Sequence, residues 1–579
     1  MRKKTVRRLA QWVVFAAFAA AATRAQAQGG MRFEVSFPVS AHAEPVTGRV
    51  FLLVAKKNDP EPRLQGNTAM FAVDAQELGP GKPVVIDSGV LGFPLHSLSE
   101  VPAGDYWVQA VLNIYTRFPR ADGHTIWAHM DQWEGQDFSR SPGNLFSEPE
   151  KVHFGAGGRS VKLSLSKAIP PIAVPADTEW VKHIKLESKL LSAFWGHPIY
   201  IGATILLPKG YEAHPDERYP VIYLQGHFSL QAPFGFTTEP DKPGTKSWAE
   251  KREEARAAHL NMEEPPEGTS YDGSLMDVES GYEFQQAWTS DDFPRMIAVT
   301  FQHPTPYFDD SYGINSANAG PYGDALLTEL IPYIEEHYRV IREPSARVLT
   351  GGSTGGWGSL ALQVYHPEFF GGAWIFYPDP VDFHRYYGGV NLYEDENAFT
   401  VGPADDWAPR ERIAFRTVEG QVAITVRELA QMQLVLGTQD AGLEWQNYTP
   451  VRADGYPVTP WDLHTGKIDR AAVAAMREQG YDIHDYLSGN WARIGPQLVG
   501  KLHFICGDAD MAYLNLAMYR LQDFLENSKD PYYAGSIEFG RPLKNHGWQP
   551  TTNAELVRTM AKYIAESRTK QSAAGGQGR

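Results

Sequence analysis

The chain has 579 residues, 43% of them hydrophobic, and carries 53 Lys and Arg side chains against 69 Asp and Glu side chains. It is too long for one hydrophobic core, so we predict two domains or one heavily decorated domain. The net charge of −16 repels phosphate backbones and anionic membrane surfaces, so we expect no nucleic-acid partner.

Residues 1–27 have the composition of an export signal. A basic start precedes an apolar stretch from Trp12 to Ala22 and a small-x-small sequence that ends at Ala27. The stretch is shorter than the roughly 20 residues that span a bilayer, so we predict cleavage and no membrane insertion, with a retained anchor as the alternative. Cleavage removes six basic side chains and leaves 47 (53 minus 6) against 69 acidic ones, a net charge near −22. The lone cysteine, Cys506, excludes an internal disulfide. We predict a bacterial protein that is periplasmic or secreted.

Residues 28–166 are predicted to form an all-β sandwich domain. Short runs that alternate apolar and polar residues lie between Gly and Pro clusters, and no long helix is evident. The clearest runs are Arg32–Phe37, Gly48–Val54, Tyr106–Val111 and Val161–Leu165. The aromatic residues Tyr115, Trp127 and Trp133 fit either glycan binding or core packing. The Pro-rich stretch that follows predicts an extended linker over residues 167–180.

From residue 181 to 568 strand-like runs alternate with helix-like ones, which predicts a largely parallel α/β sheet. The predicted strands are Tyr200–Leu207, Val221–Gln225, Met296–Phe301, Ala346–Thr350, Leu502–Cys506 and Ser536–Phe539, and Leu326–Tyr338 is a predicted helix.

Two long stretches interrupt this alternation. Residues 232–290 include a charged, helix-like run from Ser247 to Leu260, and residues 380–495 are rich in aromatic side chains. The tryptophans of the second stretch are Trp407, Trp445, Trp461 and Trp491. Such inserts serve as lids or substrate walls in many α/β domains, and surface decoration is the alternative. Residues 569–579 are expected to be disordered.

A G-x-S-x-G sequence surrounds Ser353. The apolar run of Val348 and Leu349 precedes it, and a helix-like run from Leu360 to Gln363 follows. A sharp strand-to-helix turn of this kind exposes a serine hydroxyl, and small neighbours let the backbone approach itself. Ser353 is therefore the candidate nucleophile.

Chain order then selects the partners of Ser353. After the nucleophile, this type of site places an acid and then a histidine. His546 is the single histidine beyond His503, so it is the candidate base. Asp508 and Asp510 follow the predicted strand Leu502–Cys506. We choose Asp510 as the acid that orients the imidazole, with Asp508 as the alternative.

Backbone N–H groups are expected to hold the oxyanion of the reaction. Thr354 stands at the start of the helix after Ser353. His227 follows the strand that ends at Gln225, and Phe228 is the alternative to it. Tyr307, Asp310 and Asn315 lie in the loop after the next strand and are predicted to contact substrate. No His, Cys and Asp cluster has the spacing of a metal site, so we predict no metal and no other cofactor.

Several segments together resemble a family of α/β-hydrolase esterases that includes esterase D, enterochelin esterase and feruloyl and acetylxylan esterases. The resemblance covers roughly residues 185–565 apart from the two inserts. It rests on Leu206–Tyr211, Tyr219–Gly226, Gly320–Asp324 with Glu329–Ile334, the Ser353 elbow with His366–Gly371, and Gly507–Asp510.

The resemblance implies an α/β-hydrolase fold with two long insertions, behind the N-terminal sandwich. The chain departs from the family pattern at Gln225-Gly226, where His-Gly is usual, and at Thr354, where Met is common. The oxyanion contacts are made by backbone, so both changes leave the chemistry intact. Because the second insert is unusually long, the resemblance does not imply any one of the family's substrates for this chain.

We therefore expect a serine hydrolase that cleaves a small-molecule or glycan-linked carboxylic ester, including a siderophore ester, through an acyl-enzyme. A serine peptidase or acyltransferase on the same scaffold is one alternative. A non-catalytic binding protein that retains the fold is the other.

Overall fold

The computed structural model describes residues 30–66, 68–155, 157–244, 279–402, 407–437 and 447–576, with side chains through residue 570. The predicted signal at 1–27, the helix-like run Ser247–Leu260 and Trp445 lie outside these ranges. The chain divides into two compact units. One contains the described residues up to Tyr115 together with Phe138–Pro170, and the other contains Thr116–Asp137 and the chain from Pro171 onward.

The first unit is a two-layer β-sandwich. Its strands are β1 (Arg32–Ser36), β2 (Val46–Ala55), β3 (Ala69–Leu78), β4 (Val84–Ile86), β5 (Gly92–Phe93) and β6 (Gly104–Ile114). Strands β7 (Thr116–Pro119) and β8 (Thr125–Ala128) belong to the second unit, and the sandwich continues with β9 (Leu145–Phe146), β10 (Glu150–Phe154), β11 (Ser160–Ser164) and β12 (Lys167–Ala168).

One sheet of the sandwich has the order β11-β1-β4, and the other has the order β12-β9-β6-β2-β3-β5, with β10 also paired to β6. Phe33 and Val35 of β1 pack into the same core as Val50, Leu52 and other side chains of the second sheet. Burial alternates along β1 and β11, as expected for sheets that bury one face. The predicted all-β sandwich is therefore confirmed.

The second unit is built on one sheet. Its strands are β13 (Val181–Ser188), β14 (Ile199–Leu206), β15 (Val221–Gln225), β16 (Ile297–Gln302), β19 (Arg347–Gly352), β20 (Gly372–Phe376), β25 (Leu502–Gly507) and β26 (Ser536–Gly540). Short two-stranded pairs lie outside this sheet, namely β17 (Asn315–Ser316) with β18 (Gly320–Pro321), β21 (Thr400–Val401) with β22 (Arg410–Glu411), and β23 (Ile413–Arg416) with β24 (Val422–Thr425).

The order of the main sheet is β13-β14-β16-β15-β19-β20-β25-β26. Strand β14 runs antiparallel to both of its neighbours, and the strands from β16 to β26 pair in parallel. Helix crossovers cover both faces of such a sheet, so its strands are apolar throughout. β15 and β20 are buried along nearly their whole length. This is the α/β-hydrolase fold that the resemblance implies.

The helices connect these strands. They are α1 (Lys189–Trp195), α2 (Gly281–Trp288), α3 (Tyr322–Ala325), α4 (Ile331–His337), α5 (Thr354–Tyr365), α6 (Val426–Leu436), α7 (Arg470–Glu478), α8 (Ile483–Leu498), α9 (Leu514–Glu526) and α10 (Asn553–Gly576). A π-helical turn, Leu326–Leu330, joins α3 to α4, so the predicted helix at Leu326–Tyr338 is confirmed with an earlier start. Short 3₁₀ turns are Pro62–Leu64, Leu98–Glu100, Pro233–Gly235, Pro344–Ala346, Phe383–Arg385 and Tyr387–Gly389.

The last helix of the chain extends further than the sequence predicts. Helix α10 continues to Gly576, past Thr569, where the sequence predicts the start of a disordered tail. In the parts of the chain that the structure covers, no helix combines the length and the apolar composition needed to cross a bilayer.

The segment Thr116–Asp137 packs inside the second unit through a buried arginine. Arg120 is 4% exposed, and its guanidinium donates to the backbone oxygens of Gly455, at 2.9 Å, and Ala317, at 2.6 Å. Trp133 is buried, and its ring lies 5.2 Å from that of Phe228. Core packing is therefore what occupies Trp133, one of the two alternatives that its sequence context leaves open.

Candidate active site

Ser353 lies at the sharp turn between β19 and α5. Its backbone has φ 56° and ψ −123°, a conformation that costs a non-glycine residue of order 1–3 kcal/mol and is found mainly at functional sites. The neighbouring elements hold the turn in place. Ser353 N–H donates to Phe376 O at the end of β20, and the N–H of Asp379 donates to Ser353 O. The side chain of Ser353 is half-buried.

The glycines around Ser353 allow three backbone segments to meet. A Cβ on Gly355 would lie 2.1 Å from Gln225 O, and a Cβ on Gly356 would lie 2.5 Å from Phe376 O. Because real Cβ atoms do not approach this closely, the small residues of the motif are required by packing. They bring the ends of β15 and β20 against the first turn of α5.

His546 and Asp510 form a hydrogen-bonded pair. His546 Nδ1 lies 2.8 Å from Asp510 Oδ2, and the Asp510 side chain is fully buried. The other oxygen, Oδ1, accepts the backbone N–H groups of Ala512, at 2.8 Å, and Leu514, at 3.3 Å. One carboxylate thus binds the backbone at the start of α9 and also fixes the imidazole.

The alternative acid, Asp508, points elsewhere. Its Oδ1 accepts the backbone N–H of Lys544 at 3.1 Å, and its backbone oxygen accepts the side-chain amide of Asn515 at 3.0 Å. The carboxylate that contacts His546 is therefore that of Asp510.

The pKa of His546 is raised above its ordinary value. Burial acts to lower this pKa, but the charge of Asp510 and its hydrogen bond outweigh burial, and the charge of Asp379 adds to their effect. An imidazolium formed during the reaction would be stabilised by the same two carboxylates.

Asp379 is a site residue that the sequence did not reveal. Ser353 Oγ donates to Asp379 Oδ1 at 3.3 Å, and Tyr312 Oη donates to Asp379 Oδ2 at 2.6 Å. Tyr387 donates a further side-chain hydrogen bond, and burial raises the pKa of the Asp379 carboxyl. Asp379 follows β20 at the carboxyl edge of the sheet, where α/β folds collect functional groups. Its place shortly after an apolar, strand-like run is the sequence feature that could have pointed to Asp379.

His227 and Thr354 lie next to each other beside Ser353. Thr354 is the first residue of α5, and the backbone N–H groups of a first helical turn point out of the helix end. His227 Nε2 lies 3.5 Å from Thr354 Oγ1, and His227 Nδ1 lies 3.0 Å from Asp309 Oδ1. The loop after β15 is thus held against the helix start, as two backbone oxyanion donors would require.

The three predicted substrate contacts have different surroundings. Asp310 is 2% exposed and lies beside His227, with Oδ2 3.5 Å from Nδ1. Tyr307 is buried, and its hydroxyl lies 3.4 Å from Arg120 Nη1. The side chain of Asn315 accepts the backbone N–H of Asp324 at 2.9 Å. The structure brings Asp310 to the serine site through His227, whereas Tyr307 contacts Arg120 and Asn315 contacts Asp324.

The second insert supports the site from two directions. Asn447 Nδ2 donates to Asp310 O at 3.0 Å, and the ring of Tyr448 packs edge-on against Tyr312 at 5.1 Å. Arg416 of β23 donates from Nε to Asp510 O at 3.3 Å. The insert therefore buttresses both the acid turn and the loop that carries Asp310.

The comparisons with known proteins come from a family model and from solved structures. The model of a family described as “Putative esterase” matches residues 274–453. This segment contains Ser353, Thr354 and Asp379, while Asp510 and His546 lie beyond it. The match confirms the resemblance to esterases and supports an ester hydrolase as the class of this protein. None of the curated protein sequences matches the chain.

Solved structures that are similar to this chain include a ferulic acid esterase, at 16% identity and a TM-score of 0.34, covering 66% of this chain and 98% of the other. An S-formylglutathione hydrolase from Agrobacterium tumefaciens has 13% identity and a TM-score of 0.31, with coverages of 67% and 97%. A fluorophosphonate-binding serine hydrolase from Staphylococcus aureus has 12% identity and a TM-score of 0.29, with coverages of 66% and 98%.

Proposed function

We propose that this protein is an exported serine hydrolase that cleaves carboxylic esters through an acyl-enzyme on Ser353. The observation that carries the proposal is the pairing of His546 Nδ1 with the buried Asp510 carboxylate at 2.8 Å. Asp379 connects this pair to the serine on the strained strand-to-helix turn, because it accepts Ser353 Oγ at 3.3 Å and its charge acts on His546. A proton held on Nδ1 by Asp510 leaves Nε2 as the basic nitrogen of the imidazole.

The reaction proceeds in two halves. His546 Nε2 takes the hydroxyl proton as Ser353 Oγ attacks the ester carbonyl, and the backbone N–H groups of Thr354 and His227 hold the oxyanion. The imidazolium then gives its proton to the departing alcohol, which leaves the acyl-enzyme. Water, deprotonated by the same nitrogen, attacks the acyl group, and the carboxylic acid departs as Ser353 regains its proton. Loss of one oxyanion donor typically costs about 10²–10³ in rate.

A panel of chromogenic esters tests this function. Wild-type protein is expected to hydrolyse p-nitrophenyl acetate, and Ser353→Ala is expected to lose at least about 10⁴-fold in kcat. Comparison with a longer acyl ester and with methyl ferulate would define the acyl preference. A wild-type protein that is folded and turns over none of these esters, or a Ser353→Ala variant of equal activity, would contradict the proposal.

Peptide and acceptor assays separate the alternatives. A serine peptidase would cleave amide substrates at rates comparable to esters, and an acyltransferase would give more ester product than acid when an alcohol is added. A binding protein would do neither. The Ser353, Asp510 and His546 set favours an enzyme over a binding protein, and the proposed natural substrate is a glycan-linked or siderophore ester.

Export is part of the same proposal and has its own measurement. Expression of the full chain in a Gram-negative host is expected to release, into the periplasm or medium, a protein that begins at Gln28. Intact-mass measurement would show this. Full-length protein retained in the cytoplasm would contradict export and leave the hydrolase assignment untouched.

A further inference from the structure

Three side chains beside the serine site form a constellation that the proposed hydrolysis does not use. They are His227, Asp309 and Asp310, and one ligand atom from each lies within 4.8 Å of the other two. Nδ1 of His227 lies 3.0 Å from Asp309 Oδ1 and 3.5 Å from Asp310 Oδ2. The oxyanion role proposed for His227 uses its backbone N–H and makes no demand on its imidazole.

The buried carboxylate of Asp310 provides a second, independent observation. Its side chain is 2% exposed. Oδ1 accepts the backbone N–H of Tyr312 at 2.8 Å, whereas among the described residues Oδ2 has no hydrogen-bond donor. A buried carboxylate oxygen without a donor is costly. Oδ2 lies 3.5 Å from His227 Nδ1, in the cluster that Asp309 completes, where a cation would satisfy it.

Although the sequence predicts no metal site, we propose that His227 Nδ1, Asp309 Oδ1 and Asp310 Oδ2 bind a divalent metal ion of the zinc class. Zinc takes imidazole nitrogen and carboxylate oxygen at about 2.0–2.2 Å, so two of its ligands are separated by about 3.3–3.5 Å in a tetrahedral site. The observed separations of 3.0 and 3.5 Å require only small shifts to match. Three protein ligands would leave a fourth position open to water or to a substrate oxygen.

The surroundings of the cluster are those of a supported metal site. Nε2, the other ring nitrogen of His227, lies 3.5 Å from Thr354 Oγ1, and metal-bound imidazoles usually have such an outer partner. Asn447 Nδ2 holds the backbone oxygen of Asp310 at 3.0 Å. A metal here would tie the loop after β15 to the loop after β16, directly beside the two proposed oxyanion donors.

A second cluster, Asp382, His384 and Asp482, serves as an internal comparison. Asp382 pairs with His484 and Arg520, and Asp482 Oδ2 accepts Tyr393 Oη at 2.7 Å and Phe383 N at 3.0 Å. These carboxylates are already satisfied by protein donors, so we expect this cluster to bind no metal.

Isothermal titration of the EDTA-treated full chain with ZnCl₂ tests the proposal, with MnCl₂, CaCl₂ and MgCl₂ as comparisons. We expect one equivalent of Zn²⁺ to bind, with Mn²⁺ weaker and Ca²⁺ and Mg²⁺ weaker still. Asp310→Asn should weaken zinc binding by at least about 100-fold, since even outer-shell partners change affinity by about 10–100-fold. Asp309→Asn, at a more exposed position, provides a second variant if the first fails to fold.

His384→Ala is the matched control, because it removes the histidine of the comparison cluster and should leave zinc affinity unchanged. Absence of stoichiometric zinc binding, or binding that is equal in wild type, Asp310→Asn and Asp309→Asn, would overturn the proposal. So would loss of binding in His384→Ala alone. The readout is binding rather than turnover, so failure of the metal site and failure of the hydrolase proposal are distinguishable.

Discussion

At the scale of single residues, the arrangement around Ser353 contains one more acid than hydrolysis requires. Asp510 orients His546, while Asp379 accepts the hydroxyl of Ser353. Both carboxylates act to raise the pKa of His546. The base must be neutral to accept a proton, so activity should appear as pH rises through this pKa, above the ordinary histidine value of about 6.5.

Replacement of Asp379 is expected to shift the acidic limb of the pH–activity profile, the pH range in which activity appears. Asp379→Asn removes one of the charges that raise the pKa of His546, so the limb of the kcat/KM profile should shift to lower pH. The pH dependence of ester hydrolysis measures this directly. Asp508→Asn is the control, because its carboxylate contacts Lys544 N instead, and its limb should stay in place. A limb that is unmoved in Asp379→Asn would contradict the coupling.

The two aspartates after β25 give a second prediction at this scale. Asp510→Asn should lower kcat by about 10⁴, because the amide cannot hold the imidazole in the tautomer that accepts the serine proton. Asp508→Asn should retain most activity. Steady-state assays with p-nitrophenyl acetate compare them, and the reverse ranking would assign the acid to Asp508.

At the scale of elements, the sharp turn between β19 and α5 depends on glycines that let β15 and β20 approach α5. Gly355→Ala would place a Cβ 2.1 Å from Gln225 O, and backbone cannot yield as a flexible side chain does. We expect a loss of about 1–3 kcal/mol in the free energy of unfolding, together with reduced activity. Thermal or denaturant unfolding measures the loss.

Gly489→Ala is the matched control for that substitution. Gly489 lies inside α8, and a Cβ there meets nothing within 4 Å. Alanine is the better helix former by about 1 kcal/mol, so this variant should be as stable as wild type or more so. Equal destabilisation by both substitutions would show that the close approach at Gly355 is not the cause.

Some elements were predictable from the sequence and others were not. The apolar runs of β15, β19 and β25 and the G-x-S-x-G turn are local patterns, so the strands and the position of Ser353 could be read directly. Asp379 belongs to no local motif, and its contact with Ser353 exists only because β20 lies beside β19. The hairpin of β7 and β8 resembles its sandwich neighbours in pattern, and tertiary contacts such as those of Arg120 place it with the second unit.

At the scale of the whole molecule, the charge of the protein favours one class of substrate. The chain carries a net charge of −16, so its surface is acidic overall. An acidic surface raises the local concentration of cations and speeds their association. We therefore expect a positively charged thioester, acetylthiocholine, to give a higher kcat/KM at low salt than its neutral isostere, by about tenfold.

Added salt should remove that preference, because screening shortens the reach of surface charges to about 10 Å at 0.1 M ionic strength. Measurement of both thioesters across a NaCl series provides the test. A preference that is absent at low salt, or that persists unchanged at high salt, would show that the net charge does not steer substrates to this site.

The most direct test of the central claim is covalent labelling of the wild-type protein with a fluorophosphonate. This reagent reacts with serines that a neighbouring base has activated. We predict stoichiometric labelling, with peptide mass spectrometry locating the adduct on Ser353 and with no labelling of Ser353→Ala or His546→Ala. Folded wild-type protein that fails to label, or an adduct on a different serine, would contradict the account.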